Sequence, residues 1–214
     1  PGVGKTLAAL NISAHVALNL QEPVIFASLE MSTNDLMERL IASQTMIPFY
    51  RIRRGVLSEA EWAKVSEFTN RFRESPLYID DNSSTTLSDL RNHCARVKAQ
   101  HGRVGLVVLD YISLLANDGK HSSESRQQEV SEISRGLKIL AKDMECPVLA
   151  LSQLNRGLEN RPNKRPTLSD LRESGSIEQD ASVVIGLYRD SLYNPGTGDD
   201  GIMEAIILKN RSGA

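Results

Sequence analysis

The chain has 214 residues, 40% of them hydrophobic and 24% charged, with a formal net charge of −2. That length suits one domain with one sizeable core, and the charge balance gives the chain as a whole no attraction to nucleic acid, so any such contact must be local. No run reaches the roughly 18 apolar residues that cross a bilayer, and no basic segment leads into an apolar core; the expectation is a cytoplasmic protein with no membrane partner.

Gly2, Gly4, Lys5 and Thr6 open the chain within Pro1-Gly2-Val3-Gly4-Lys5-Thr6. Leu7, Leu10, Val16 and Leu20 predict a helix over 5–20, which Pro23 ends before the apolar strand 24–28. Helices follow over 34–45 and 59–73, the second headed by Ser58 and Glu61 at capping-box spacing. Residues 77–79 read as a short strand. Thr86 and Asp89 repeat the capping pattern ahead of a helix that Gly102 closes, and 104–109 is an apolar run suited to a buried parallel strand. Val130, Ile133, Leu137, Leu140 and Met144 draw one stripe along a helix over 125–145. Pro147 stops it, and 148–151 is the next strand. Residues 155–171 mix Arg156, Arg161, Lys164 and Arg165 with prolines and few apolar residues, a basic loop. Two late strands, 182–188 and 202–208, flank a polar turn over 194–201. This alternation is the signal of an α/β fold, a mostly parallel sheet flanked by helices. Cys94 and Cys146 have no metal-ligand spacing and read as buried, reduced thiols.

The chemistry gathers at strand ends. The pattern G-x-x-x-x-G-K-[ST] cradles phosphates because glycine turns backbone amides inward, the helix start adds positive dipole and lysine neutralises the outer phosphates. Gly4, Lys5 and Thr6 supply its last three positions, although an ordinary helix start explains so short a match as well. Asp110 ends the run Val107-Val108-Leu109, at the carboxyl edge where parallel sheets bind ligands. There it can hold magnesium, directly or through water, opposite the Thr6 hydroxyl; a turn residue is the plainer alternative. Glu30 follows the strand 24–28, which would stand it beside Asp110 at the same edge, and suits a base that polarises the attacking water, or simply an acid at a helix start. Gln153, after the strand 148–151, suits a phosphate sensor or a plain polar strand end.

Taken together, the spacing of Gly4-Lys5-Thr6, Ser28-Leu29-Glu30-Met31, Leu109-Asp110-Tyr111, Leu151-Ser152-Gln153-Leu154-Asn155-Arg156, the stretch from Asp170 to Asp180, and Lys209-Asn210-Arg211 resembles the DnaB-type replicative helicases. The resemblance covers essentially the whole chain. It implies a RecA-like P-loop ATPase fold over 1–214, cut within its phosphate-binding loop at one end and just past the Lys209–Arg211 pair at the other, without the family's N-terminal collar domain and linker helix. It further implies an ATP-dependent DNA helicase of 5'-3' type, a homo-hexamer encircling single-stranded DNA, with ATP and Mg2+ as cofactors and with a primase and a helicase loader as partners.

By the same resemblance Gly2, Gly4, Lys5, Thr6 and Asp110 bind the nucleotide, Thr6 and Asp110 on the magnesium side. Glu30 is the catalytic base, Gln153 the phosphate sensor, and Lys209 and Arg211 a basic pair acting on a neighbouring subunit's γ-phosphate. Two apart on a strand, Lys209 and Arg211 point the same way, as a solvated edge pair also would. Arg172, Glu173 and Gly175 resemble the DNA-binding loop, with Arg156 a weaker candidate because a solvated loop explains 156–165 equally well. Arg51, Arg53 and Arg54 read as a surface cluster or a subunit contact. A RecA-like recombinase or clock-type ATPase would share Gly4-Lys5-Thr6, Glu30 and Asp110, but the stretch 170–180 argues against it. A nucleotide-holding assembly module would need neither Glu30 nor Arg211.

Overall fold

Val24, Ile25, Phe26 and Ala27 form an unbroken apolar run, each at most 1% exposed, which only a strand covered on both faces can use. In the computed structural model this run is strand β1 (Val24–Ser28), following helix α1 (Lys5–Ala14) and a wider helical turn over His15–Asn19. Helices α2 (Thr33–Thr45), α3 (Phe49–Arg54) and α4 (Glu59–Arg73) lead to strand β2 (Leu77–Asp80) and helix α5 (Leu87–His101). Strand β3 (Leu106–Asp110), helices α6 (Ile112–Leu115) and α7 (Ser123–Met144) and strand β4 (Val148–Ala150) come next. Tight helical turns over Arg156–Asn160 and Leu168–Ser174 precede helix α8 (Gly175–Asp180), and strands β5 (Val183–Tyr188) and β6 (Glu204–Asn210) close the order. The structure describes residues 2–115, 123–194, 196 and 201–213, with the backbone alone at 113, 114, 123–127, 156 and 172–174. Most of the polar turn expected over 194–201 lies outside them.

The chain divides into two compact units. One comprises Thr6–Leu115 and Leu140–Leu151. Its sheet is wholly parallel in the order β2-β1-β3-β4, with Ser28 opposite Asp110 and Val108 opposite Leu149. Ala9, Leu10, Ala14, Leu36, Leu40 and Phe68 from the helices pack with Phe26 and Val108 of the strands in one apolar cluster. The expected capping boxes form: Ser58 Oγ accepts from the Glu61 N–H while Glu61 accepts from the Ser58 N–H, and Thr86 and Asp89 do the same. Gly102 ends α5 at φ +82°, a left-handed turn that a side chain would oppose. Cys94 and Cys146 are both buried and unpaired by disulfide, and burial pushes the Cys94 thiol up to about 12.

The other unit comprises Pro1–Lys5, Ala116–Ile139 and Ser152–Ala214. Its strands β5 and β6 are antiparallel, Tyr188 opposite Glu204 and Val184 opposite Lys209. The fold class is therefore as expected: a mostly parallel sheet flanked by helices, with a late antiparallel pair. Strand β6 begins two residues later than the apolar pattern suggested, and α3, α6 and α8 are additions. With only four to six residues each, they are too short to draw a periodic stripe. Among the described residues no helix is long and apolar enough to cross a membrane.

Candidate functional site

Gly2 and Gly4 stand at φ +79° and +104°, backbone that residues with a Cβ rarely adopt. They turn the chain directly into the start of α1, so Lys5 and Thr6 occupy the first helical turn, where N–H groups lack helical acceptors. Lys5 Nζ donates to the Ser152 carbonyl at 3.0 Å. Ser152 immediately precedes Gln153, which is exposed. Thr6 Oγ1 donates to Asp110 Oδ2 at 2.6 Å. Asp110 is the last residue of β3 and only 1% exposed.

Sheet register brings Glu30 to the same edge. Ser28 is the partner of Asp110, and the Leu29 N–H donates to the Asp110 carbonyl at 2.7 Å. Ser28 Oγ donates to the Met31 carbonyl at 2.7 Å and accepts from the Met31 N–H at 3.2 Å, folding the turn so that Leu29 is buried and Glu30 is exposed. Thr6 and Asp110 together present hard oxygen donors beside a helix start, a set that suits magnesium completed by phosphate and water. Among the described residues no group of three or more His, Cys, Asp or Glu could cage a metal on its own.

In the other unit, Lys209 and Arg211 do project to one side. Lys209 Nζ donates to the Glu178 carbonyl at 2.6 Å and more weakly to that of Gln179 at 3.4 Å, while Arg211 Nη2 donates to the Gln179 carbonyl at 2.9 Å. The turn Leu168–Ser174 carries the backbone of Arg172 and Glu173; their side chains, and that of Arg156, lie outside the described residues. Gly175 follows, with open space where a Cβ would stand, so a ligand could approach its backbone closely.

The architecture of that turn was missed in the sequence. The Thr167 carbonyl accepts from the Asp170 N–H at 3.0 Å, and Asp170 Oδ2 accepts from the Thr167 N–H at 2.8 Å, from the Thr167 hydroxyl at 3.0 Å and from Arg161 Nη2 at 2.7 Å. The signal was present, since Thr167 and Asp170 have the spacing already read at Thr86 and Asp89. Burial raises the Asp170 carboxyl, but the Thr167 amide and the Arg161 guanidinium outweigh it and hold the group below its ordinary value. Arg165 is likewise engaged, forming a bidentate pair with Glu204 at 2.6 and 3.0 Å and lying 4.6 Å from the centre of the Tyr188 ring. The basic loop thus spends much of its charge on its own architecture. Similarly, Arg51 pairs with Glu61 at 2.9 Å and Arg53 lies 3.7 Å from Asp35.

The DnaB-like helicase C terminal domain family matches residues 1–214. The replicative DNA helicase DnaB of Geobacillus stearothermophilus is 47% identical and the replicative DNA helicase DnaC of Bacillus subtilis 45%, each over 213 residues. All of this chain is covered in both cases but only 46% of those proteins, so it spans less than half the length of these relatives. Among solved structures, one described as an ATPase domain superposes with a TM-score of 0.91 at 35% identity, covering 100% of this chain and 75% of that one. A DnaB-like replicative helicase studied with its primase superposes equally well, with 51% of its chain covered. With a family match along its whole length and a closely similar solved fold, the chain belongs to the DnaB-like helicase C-terminal domain family.

Proposed function

We propose that this chain is the ATP-hydrolysing motor of a replicative DNA helicase, acting on single-stranded DNA as part of a homo-hexamer in the cytoplasm, with a primase and a helicase loader as partners. The observation that carries the reading is the meeting of Thr6 and Asp110 at 2.6 Å beside the Gly4-Lys5 turn, in a chain of this family. The glycine turn and Lys5 hold the triphosphate, Lys5 releasing the Ser152 carbonyl or sharing it as the phosphate arrives. Thr6 and Asp110 would hold magnesium, Asp110 directly or through water, and the ion would there neutralise charge on the phosphate oxygens. Glu30, exposed at the same sheet edge, orients the attacking water and accepts its proton. Gln153 follows directly on the carbonyl that holds Lys5, which suits it to sense the γ-phosphate and relay its loss. Lys209 and Arg211 stabilise charge on a neighbour's γ-phosphate, and the Arg172, Glu173 and Gly175 segment, with Arg156, holds DNA phosphates without reading sequence.

The relatives' names support the helicase activity, and the solved complex named for its interactions with primase supports that partner. The test is strand displacement by the whole protein on a tailed duplex, with and without ATP and Mg2+. Displacement that requires both, with hydrolysis stimulated by single-stranded DNA, is the expected result. Hydrolysis without strand separation would turn the reading toward a recombinase-like or assembly ATPase.

A further inference from the structure

The partners of Lys209 and Arg211 are main-chain carbonyls and not carboxylates. Both carbonyls belong to Glu178 and Gln179, in the last turn of α8. Carbonyls in a last helical turn lack amide partners further along the chain and carry partial negative charge, so they hold cations, but more weakly than a phosphate does. Helix α8 has a second anchor as well. Asp180 Oδ2 accepts from Ser134 Oγ at 2.9 Å, and Asp180 Oδ1 lies 3.9 Å from Lys138 Nζ, both on α7. At its other end α8 continues without a break from the turn Leu168–Ser174, which carries Arg172 and Glu173. Any shift of α8 therefore moves Gly175, its first residue, and pulls on the end of that turn.

We propose that the carbonyls of Glu178 and Gln179 are the resting holder of the Lys209–Arg211 pair, and that a triphosphate presented by a neighbouring subunit competes with them for these two cations. Capture of the pair by phosphate removes these two side-chain contacts from the end of α8, leaves the Ser134 and Lys138 contacts in place, and so changes how the 168–175 segment grips DNA. The inference rests on reading the pair as trans-acting and that segment as the DNA contact. It makes Lys209 a positioning residue for the DNA segment in addition to its contact with phosphate. A pair that served phosphate alone would leave nucleotide-free DNA affinity untouched.

The measurement is binding of labelled oligothymidine to the whole protein by fluorescence anisotropy, without nucleotide and at fixed salt, for wild type, Lys209→Ala and Lys209→Arg. Lys209→Ala is expected to weaken binding by about 5-fold or more, the lower end of ordinary coupling between sites, while Lys209→Arg retains it. In parallel, hydrogen exchange over residues 175–182 should quicken when wild type binds a non-hydrolysable ATP analogue, and the analogue should cause no such change in Lys209→Ala. Mixed rings of Lys209→Ala with subunits inactive through Glu30→Gln separate the two layers of the argument. Recovered hydrolysis with unchanged nucleotide-free affinity overturns the holder and keeps the trans-acting reading. Weakened affinity with no recovered hydrolysis overturns the trans-acting reading and with it the competition.

Discussion

Thr6 and Asp110 are 104 positions apart in the chain yet share a 2.6 Å hydrogen bond, and the chemistry of each depends on the other. The hydroxyl now donates to the carboxylate; with a cation between them both would offer lone pairs. Glu30 differs in being exposed, which suits a group that must meet water and a triphosphate. Replacing it tests its role with little risk to folding. Glu30→Gln is expected to lower hydrolysis by about 10²-fold to 10⁴-fold, the usual contribution of a positioned base, and to leave nucleotide affinity within a few-fold. Single-turnover hydrolysis beside equilibrium nucleotide binding checks both halves, and robust turnover by the variant would remove Glu30 from the mechanism. Glu30 was legible from its place after an apolar strand. Its place beside Asp110 at one sheet edge was legible as well, and the register of β1 on β3, with Ser28 opposite Asp110, agrees with it.

Among the elements, the turn Leu168–Ser174 shows most clearly how charge is used. Asp170 caps it, accepts from Arg161 and is only 9% exposed. Losing a cap and a charged hydrogen bond together costs roughly 1–3 kcal/mol, and for Asp170→Ala most of this should appear as local loosening. Proteolysis within 155–174 should quicken in that variant while the parallel sheet's unfolding midpoint moves little. The pH dependence has a definite sign. The folded Asp170 value lies below the ordinary 3.8, so the unfolded group takes up its proton first. The stabilisation is complete above the ordinary value and is lost as pH falls through the folded one. Wild-type protection of this segment should therefore fade below about pH 4, and that of Asp170→Ala should not change there for this reason. The α3 and α8 helices escaped the sequence because six residues are too few to display a 3.6-residue period, though Pro48 before α3 and Gly55 after it were available as boundary signals.

At the scale of the whole molecule, the division of labour between chains is the main prediction. An arginine reaching a neighbour's phosphate is worth about 10³-fold to 10⁵-fold in rate. Arg211→Ala subunits should therefore hydrolyse ATP poorly alone yet regain activity when mixed with Glu30→Gln subunits, whose own sites are dead but whose arginine is intact. A linear dependence on subunit ratio, with no recovery, would count against action in trans. The antiparallel pair also carries an exposed apolar face, with Val183, Ile185 and Ile207 each more than half exposed. Single exposed apolar residues are ordinary, but a cluster of this kind is the sort of surface that larger assemblies cover.

What the sequence by itself determined was local or periodic. The buried strands β1 and β3 announced themselves as unbroken apolar runs, the capping boxes as four-residue spacings, and the turn into α1 as glycines before Lys5 and Thr6, because each of these is dictated by neighbours along the chain. Tertiary structure decided the partners. Arg161 and Arg165 read as part of a basic loop, solvated or facing DNA, and the structure pairs them with Asp170 and Glu204, while Lys209 and Arg211 rest on carbonyls some 30 positions away. Such pairings depend on sheet register and on where a turn brings the chain back. Both are set by packing of the whole unit and not by any short run of residues.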